Sequence, residues 1–391
     1  MDRWQHMEAI YPRLVELRRL FHRYPELAFG EVETARIITV ELQRLDVPHE
    51  YSGPGGGVVG RLVGPDMGPV IALRSEMDAL PAEEKTGLPF ASKYPGQMHA
   101  CGHDAHMAML LGAAALLKAD PPPGEVRFIF QPAEEHGGGA RVILKSGALA
   151  GVDAIFGGHV THHHTTGEIM VKDGIVTAQS DIFRVHILGS GGHGARPHEA
   201  TDAVVILGML ITTLQTLVSR SANPLHPTVV TVGQATAGSA ANVIAEDGFM
   251  QGTIRTTNQE VRTHLLEGLH RMVGAMAELH GARIELDLEE GYPPLVNTPR
   301  ETAIARRAAQ AIVGERATSE DEHPTLGAED FSYYLEQFPG AYVRFGALKK
   351  GDTPKALHSP EFDIDEEALK YGALWFDAVA REAIRDLRGK T

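Results

Sequence analysis

The sequence predicts an α/β chain: a doubly wound domain interrupted by a ferredoxin-like α+β insert. Three observations carry this reading. Strand-like and helix-like runs alternate over the first 178 residues, the pattern of a sheet covered on both faces. From residue 179 the order becomes β-α-β-β-α-β, and after residue 292 the alternation returns. A length of 391 residues suggests two domains rather than one small core. The expected division is 1–178 with 293–391 for the first domain and 179–292 for the insert.

Trp4, Met7, Ile10, Leu14, Leu17 and Phe21 recur at helical spacing, and a second helix is expected over Glu33 to Leu45. Strand-like runs follow at Gly57 to Val63 and Pro69 to Arg74. Asp104 to Lys118 is rich in Ala, Met and Leu and reads as a helix, with Asp104 as its N-cap. Pro121-Pro-Pro-Gly124 breaks the chain before a short buried strand, Val126 to Phe130. Gly137-Gly-Gly139 opens another helix, and Asp153 to Phe156 reads as a strand. In the insert, strands are expected at Asp181 to Leu188, Pro227 to Gln234, Gly248 to Thr256 and Ala282 to Leu288. Helices are expected there at Asp202 to Leu217 and Gln259 to His280. The return comprises a helix at Thr302 to Val313, a strand at Ala341 to Phe345 and a helix at Asp365 to Ala380.

Composition excludes some functions. Formal charge is −15, which disfavours nucleic acid and anionic membrane surfaces as partners. No run of about 18 apolar residues is evident, so no membrane-crossing helix is expected. The N-terminal residues lack the apolar core of a secretory leader. A single cysteine, Cys101, excludes an internal disulfide framework and makes a cytoplasmic location the default.

Two stretches concentrate chemistry: Met98-His-Ala-Cys-Gly-His-Asp-Ala-His106 and Phe128-Ile-Phe-Gln-Pro-Ala-Glu-Glu-His136. Thiolate, imidazole and carboxylate are the groups that hold divalent metals. Gly102 permits a tight turn between Cys101 and His103. Adjacent carboxylates such as Glu134 and Glu135 can diverge, one binding metal while the other takes a proton from water. Asp78, Glu134, Glu135 and His159 each follow a strand-like run, where chemistry gathers in such folds. His162, His163 and His164 read as loop. His193 sits in a Gly-rich turn inside the insert, and His358 stands alone far downstream.

Together these motifs resemble the amidohydrolase branch of the aminoacylase/carboxypeptidase-type di-metal peptidases, which includes hippurate, auxin-conjugate and N-acyl-amino-acid hydrolases. The similarity runs from His22-Arg-Tyr-Pro-Glu-Leu27 through Met77-Asp-Ala-Leu-Pro81, both stretches above and Gly189-Ser-Gly-Gly-His193. It continues through Ala241-Asn-Val-Ile244, Gly252-Thr-Ile-Arg255 and Gly327-Ala-Glu-Asp-Phe331 to the His358 segment. The resemblance implies a di-metal catalytic domain with an inserted lid and dimerisation domain, hence a homodimer. Cys101, His103, Glu135, His159 and His358 would ligate two divalent metals, with the Cys101 thiolate bridging them. Zn²⁺ or Mn²⁺ is expected first, Co²⁺ or Ni²⁺ next. Glu134 would be general base then general acid, with a metal-bound water as nucleophile. Asp78 would orient a histidine ligand, and His193 would stabilise the oxyanion. Asn242 and Arg255 would bind the substrate's carbonyl and carboxylate.

The implied activity is hydrolysis of N-acetyl, N-benzoyl or related amino acids to a carboxylic acid and a free amino acid. The alternative is a dipeptidase or carboxypeptidase of the same fold. Relatives often carry a Pro-containing loop after the His159 position, whereas Thr161-His-His-His164 stands here, so the sequence leaves open which imidazole reaches metal. Glu76, two residues before Asp78, can point to the same face and reach the site.

Overall fold

Strand Val70–Glu76 is buried over all but its first residue, because it has a parallel neighbour on each side. Such a strand needs apolar residues on both faces, and Val70-Ile-Ala-Leu supplies them. A computed structural model describes this chain over residues 2–315, 318–319 and 323–389. Met1 and Lys390–Thr391, at the ends of the expected first domain, lie outside the described residues.

The chain divides into two units. One comprises Met1–Val176, Val296–His323 and Asp330–Thr391, and the other Thr177–Leu295 with Pro324–Glu329. The boundaries thus fall two to three residues from those expected, and a short segment near 324–329 joins the second unit.

The first unit is built on a mixed sheet, eight-stranded among the described residues. Its order is His49–Tyr51, Val58–Val63, Glu125–Gln131, Val70–Glu76, Ala154–Thr165, Gly340–Leu348, Ile169–Met170 and Thr318–Ser319. The four central strands run parallel. Helices cover both faces. Phe345 meets Trp375 and Phe376 of the helix Ala368–Arg388, while Tyr342, on the other face, meets Phe331 beside the short helix Ser332–Leu335. This is the α/β architecture expected.

Helix His103–Ala119 is almost wholly buried, so it shows no amphipathic stripe. It packs between Arg3–Arg23 and Ala368–Arg388. Gly112 makes that crossing close: a Cβ there would stand 2.7 Å from Leu14 Cδ1 and 2.9 Å from Ala373 Cβ. Asp104 is not the N-cap of this helix. Gly102 occupies the cap in the left-handed region, φ 88°, and the Asp104 carboxylate is taken by Arg18 and His22.

The strand expected at Asp153 to Phe156 runs instead from Ala154 to Thr165. His159 lies within it, and His162, His163 and His164 extend it. Pairing with Gly340–Leu348 holds His159 opposite Arg344, and His162, His163 and His164 fall at a register shift between the Thr161–Gly346 and Thr165–Leu348 pairs.

In the second unit, Gln179–Leu188, Thr228–Ala237, Asp247–Thr256 and Arg283–Glu290 form an antiparallel sheet. Its spatial order is second, third, first, fourth. Helices Ala203–Thr216 and Gln259–His280 supply the rest of the β-α-β-β-α-β order. Asp202 and Asn258 cap them through backbone N–H groups of Val204 and Val261. Phe183, Val185, Ile187, Leu210, Leu214 and Leu265 form the core. One helical stretch, Ala203–Ser221, is long and apolar enough to cross a membrane by length and composition, with mean hydropathy 1.6. Its Ile206, Leu210 and Leu214 are committed to the core of this unit.

Candidate metal centre

Gly102 sets the site in place. Its left-handed conformation turns the chain sharply, and a Cβ there would stand 2.4 Å from Val160 Cγ2. Only glycine permits both the turn and that approach. Cys101 and His103 are thereby presented at the start of a buried helix. Cys101 Sγ stands 3.2 Å from His159 Nε2, and the His103 and His159 rings meet edge to face.

His103 Nδ1 donates to the Asp78 carbonyl at 2.9 Å and lies 3.4 Å from Asp78 Oδ1. Asp78 Oδ2 accepts from the Glu135 N–H at 2.9 Å. The Asp78 carbonyl thus braces the histidine, while the Asp78 carboxylate braces the carboxylate loop. Burial pushes the Asp78 carboxyl up, but the hydrogen bond and charge of His103 outweigh it and hold the group below its usual range.

Ala133, just before the paired glutamates, adopts φ 51°, and its N–H is held by the buried Glu31 carboxylate at 2.8 Å. A non-glycine residue in that region is strained, and Glu31 helps to fix it. Glu134 Oε2 lies 4.0 Å from His103 Nε2. His358 also adopts a left-handed conformation, φ 64°, and its N–H donates to the Ala100 carbonyl. This carries its half-exposed imidazole to within 3.3 Å of Glu135 Oε1, an atom without a hydrogen-bond partner. Two ligand atoms facing one another without a bond suit a shared cation.

The ligand atoms group accordingly. Cys101, His103 and His159 lie within 4.8 Å of one another, as do Cys101, Glu135 and His358. The two triads share the Cys101 sulfur. Glu134 forms a further group with His103 and Glu135. Burial holds His159 well below its ordinary value, so it stands neutral with a lone pair available. Thiolate, imidazole and carboxylate in two sets that share a sulfur fit a pair of divalent ions.

Of the four candidate imidazoles, His159 is brought to Cys101. His162 and His163 pack on each other, ring centroids 4.0 Å apart, and His164 lies 3.7 Å from Glu168. The other histidines near the thiol have other surroundings. His99 is buried with neither ring nitrogen hydrogen-bonded, and burial pushes it down to about 3. His106 bonds Glu76, which does reach this region.

The remaining three expected residues belong to the second unit. His193 is exposed and pairs in register with Val243, next to Asn242, on a two-stranded ladder. Its Nδ1 accepts from the Ala195 N–H at 3.0 Å. Arg255 Nη1 donates to the Leu326 carbonyl at 2.9 Å, and burial lowers its pKa.

Residues 72–382 match the model of the family described as Peptidase family M20/M25/M40. The chain belongs to this family. A thermostable carboxypeptidase of Saccharolobus solfataricus is 39% identical over 92% of this chain and 93% of its own length. An N-acetyl-L-cysteine deacetylase of Bacillus subtilis is 40% identical over 93% of this chain and 86% of its own length. Among solved structures, the Bacillus subtilis YXEP protein, a dinuclear metal binding peptidase from the M20 family, superposes with a TM-score of 0.83. It is 36% identical, covering 97% of this chain and 99% of that one. This M20 chain is therefore a hydrolase acting on C–N bonds, and its ligand groups and that neighbour support a site for two metal ions.

Sequence reasoning missed several supporting residues. Glu31 carries no local signal. Asp330 accepts from Arg74, the Gln131 amide and the Ala140 N–H. The motif Gly327-Ala-Glu-Asp-Phe331 marked it without disclosing that role.

Proposed function

We propose that this chain hydrolyses the amide bond of N-acyl amino acids, releasing a carboxylic acid and a free amino acid. The observation that supports it most is the pair of ligand triads sharing the Cys101 sulfur, with the Glu134 carboxylate beside them. Cys101, His103 and His159 would hold one ion, and Cys101, Glu135 and His358 the other. Zn²⁺ or Mn²⁺ ranks first, with Co²⁺ or Ni²⁺ next. Held there, divalent ions would supply Lewis acidity for the substrate carbonyl and a lowered pKa for the attacking water.

The protein's own groups do the rest. Glu134 takes the water's proton and returns it to the leaving nitrogen. The Asp78 carbonyl accepts from His103 Nδ1, which leaves Nε2 as the nitrogen that would meet an ion. His193 donates to the oxyanion, Asn242 binds the carbonyl, and Arg255 pairs with the carboxylate of the amino acid. The segment 179–292 serves as lid and dimerisation domain of a homodimer. A cytoplasmic setting keeps Cys101 reduced and able to bind metal.

The carboxypeptidase relative favours a second reading, cleavage of peptides by the same site. A substrate panel after metal reconstitution under reducing conditions separates the two. The account expects turnover of N-acetyl- or N-benzoyl-amino acids to exceed that of dipeptides. Turnover confined to dipeptides would assign the chain to the peptidases.

A further inference from the structure

The hydrogen bonds around Val160 form a chain that ends on the ring of His159. His106 stands on the helix that begins at His103 and is 1% exposed. Its Nε2 accepts from the Val160 N–H at 2.9 Å. An imidazole that accepts through Nε2 keeps its proton on Nδ1 when neutral, and Nδ1 donates to Glu76 Oε2 at 2.8 Å. Glu76 is fully buried and is held by Arg74 and by the Tyr342 hydroxyl.

Val160 then acts at its other end. Its carbonyl accepts from His159 Nδ1 at 2.6 Å, which leaves the His159 Nε2 lone pair facing Cys101 Sγ. The His106 and His159 rings also stand edge to face, centroids 4.7 Å apart. Val160 is thus gripped on its N–H side by His106 and grips His159 on its carbonyl side.

Glu76, His103 and His106 also present ligand atoms close enough to hold a cation. Both nitrogens of His106 are already engaged, by Val160 and by Glu76, so His106 has no lone pair for an ion. The trio is a support for the neighbouring triad rather than a third site.

We infer that His106, oriented by Glu76, is a positioning residue that fixes the ring and tautomer of His159 through the Val160 backbone, and so sets the hold of Cys101, His103 and His159 on their ion. The inference rests on the metal reading proposed above. Outer partners of metal-binding histidines commonly govern affinity in this way, although most do so by direct contact. Here the contact passes through one residue's backbone.

Two substitutions separate positioning from packing. His106→Gln can set an amide oxygen where Nε2 stood and keep an acceptor for Val160. His106→Asn keeps a donor for Glu76 but is too short to reach Val160. Both replace a buried ring with a smaller amide, so both lower the unfolding temperature of the metal-free protein. The decisive measurement is cobalt(II) affinity in the full chain, by competition with a chelator under reducing conditions, read from thiolate-to-cobalt absorption. Weakening on the order of ten- to a hundredfold is expected for His106→Asn, and less than about threefold for His106→Gln. Parent-like affinity in His106→Asn, or equal loss in the two variants, overturns the inference and leaves the metal reading standing. Absence of thiolate-to-cobalt absorption in the parent overturns the metal reading and this inference with it.

Discussion

Cys101 Sγ and His159 Nε2 stand 3.2 Å apart although 58 residues separate them in the chain. One comes from the turn before a buried helix, the other from the middle of a central strand. Neither side chain can serve as a ligand alone. Their convergence, repeated by Glu135 and His358 around the same sulfur, is what makes a di-metal reading possible.

Glu134 belongs to a ligand group with His103 and Glu135, yet it is assigned the proton rather than the ion. Glu134→Gln is expected to lower turnover on the order of a thousandfold or more while leaving metal content unchanged. Steady-state kinetics alongside elemental analysis checks this. Near-parental turnover would remove Glu134 from its role.

His193 is exposed and makes its own local hydrogen bond. His193→Ala is expected to cost about ten- to a thousandfold in kcat, as loss of one oxyanion donor does, with a smaller change in KM. A loss confined to KM would recast His193 as a substrate-binding residue.

Metal removal is expected to destabilise the protein. Restoring the ion to a chelated sample at about a hundred times its Kd adds roughly 2.7 kcal/mol per site by linkage. Unfolding temperature with and without metal measures it. Cys101→Ala, which removes the donor common to both triads, should shrink the shift. A shift of full size in that variant would contradict the shared sulfur.

His22 gives a pH signature. Burial pushes its pKa down, but hydrogen bonds to Asp104 and Glu84 outweigh this and raise it from 6.5 to about 9. The stability it adds, on the order of 1–3 kcal/mol, is complete below pH 6.5 and is lost as pH climbs to 9. Glu84 has the opposite sense. Burial pushes its carboxyl up, but hydrogen bonds from His22, Thr86 and the Ser92 N–H outweigh this and hold it down to about 2, so its contribution is present above pH 4.5 and is lost as pH falls through 2. His22→Gln should flatten the decline in unfolding temperature between pH 6.5 and 9, which a thermal series across that range reads directly.

Local pattern revealed much of the fold. The helix containing Leu14 and Leu17 and the buried strand ending at Phe130 were legible because apolar spacing alone decides such elements. The strand through His159 extends beyond its sequence expectation, since three consecutive histidines, His162 to His164, resemble a loop. Its extended form comes from pairing with a strand some 180 residues away, which no local window contains. Asp104 looked like a cap for a similar reason: its partners, Arg18 and His22, lie 86 and 82 residues distant.

The site was legible as residue types more than as geometry. Cys101, His103 and the paired glutamates announce metal chemistry by crowding together. Which histidine meets the sulfur, and what holds Ala133 and His358 in left-handed conformations, depends on Glu31, Asp78 and Ala100 acting from other segments.

Anomalous diffraction from crystals of the zinc- or manganese-loaded protein tests the central claim most directly. The account predicts two ions per subunit, one held by Cys101, His103 and His159 and the other by Cys101, Glu135 and His358, with the sulfur bound to both. A single ion, ions held by His162, His163 or His164, or a sulfur bound to neither would contradict it.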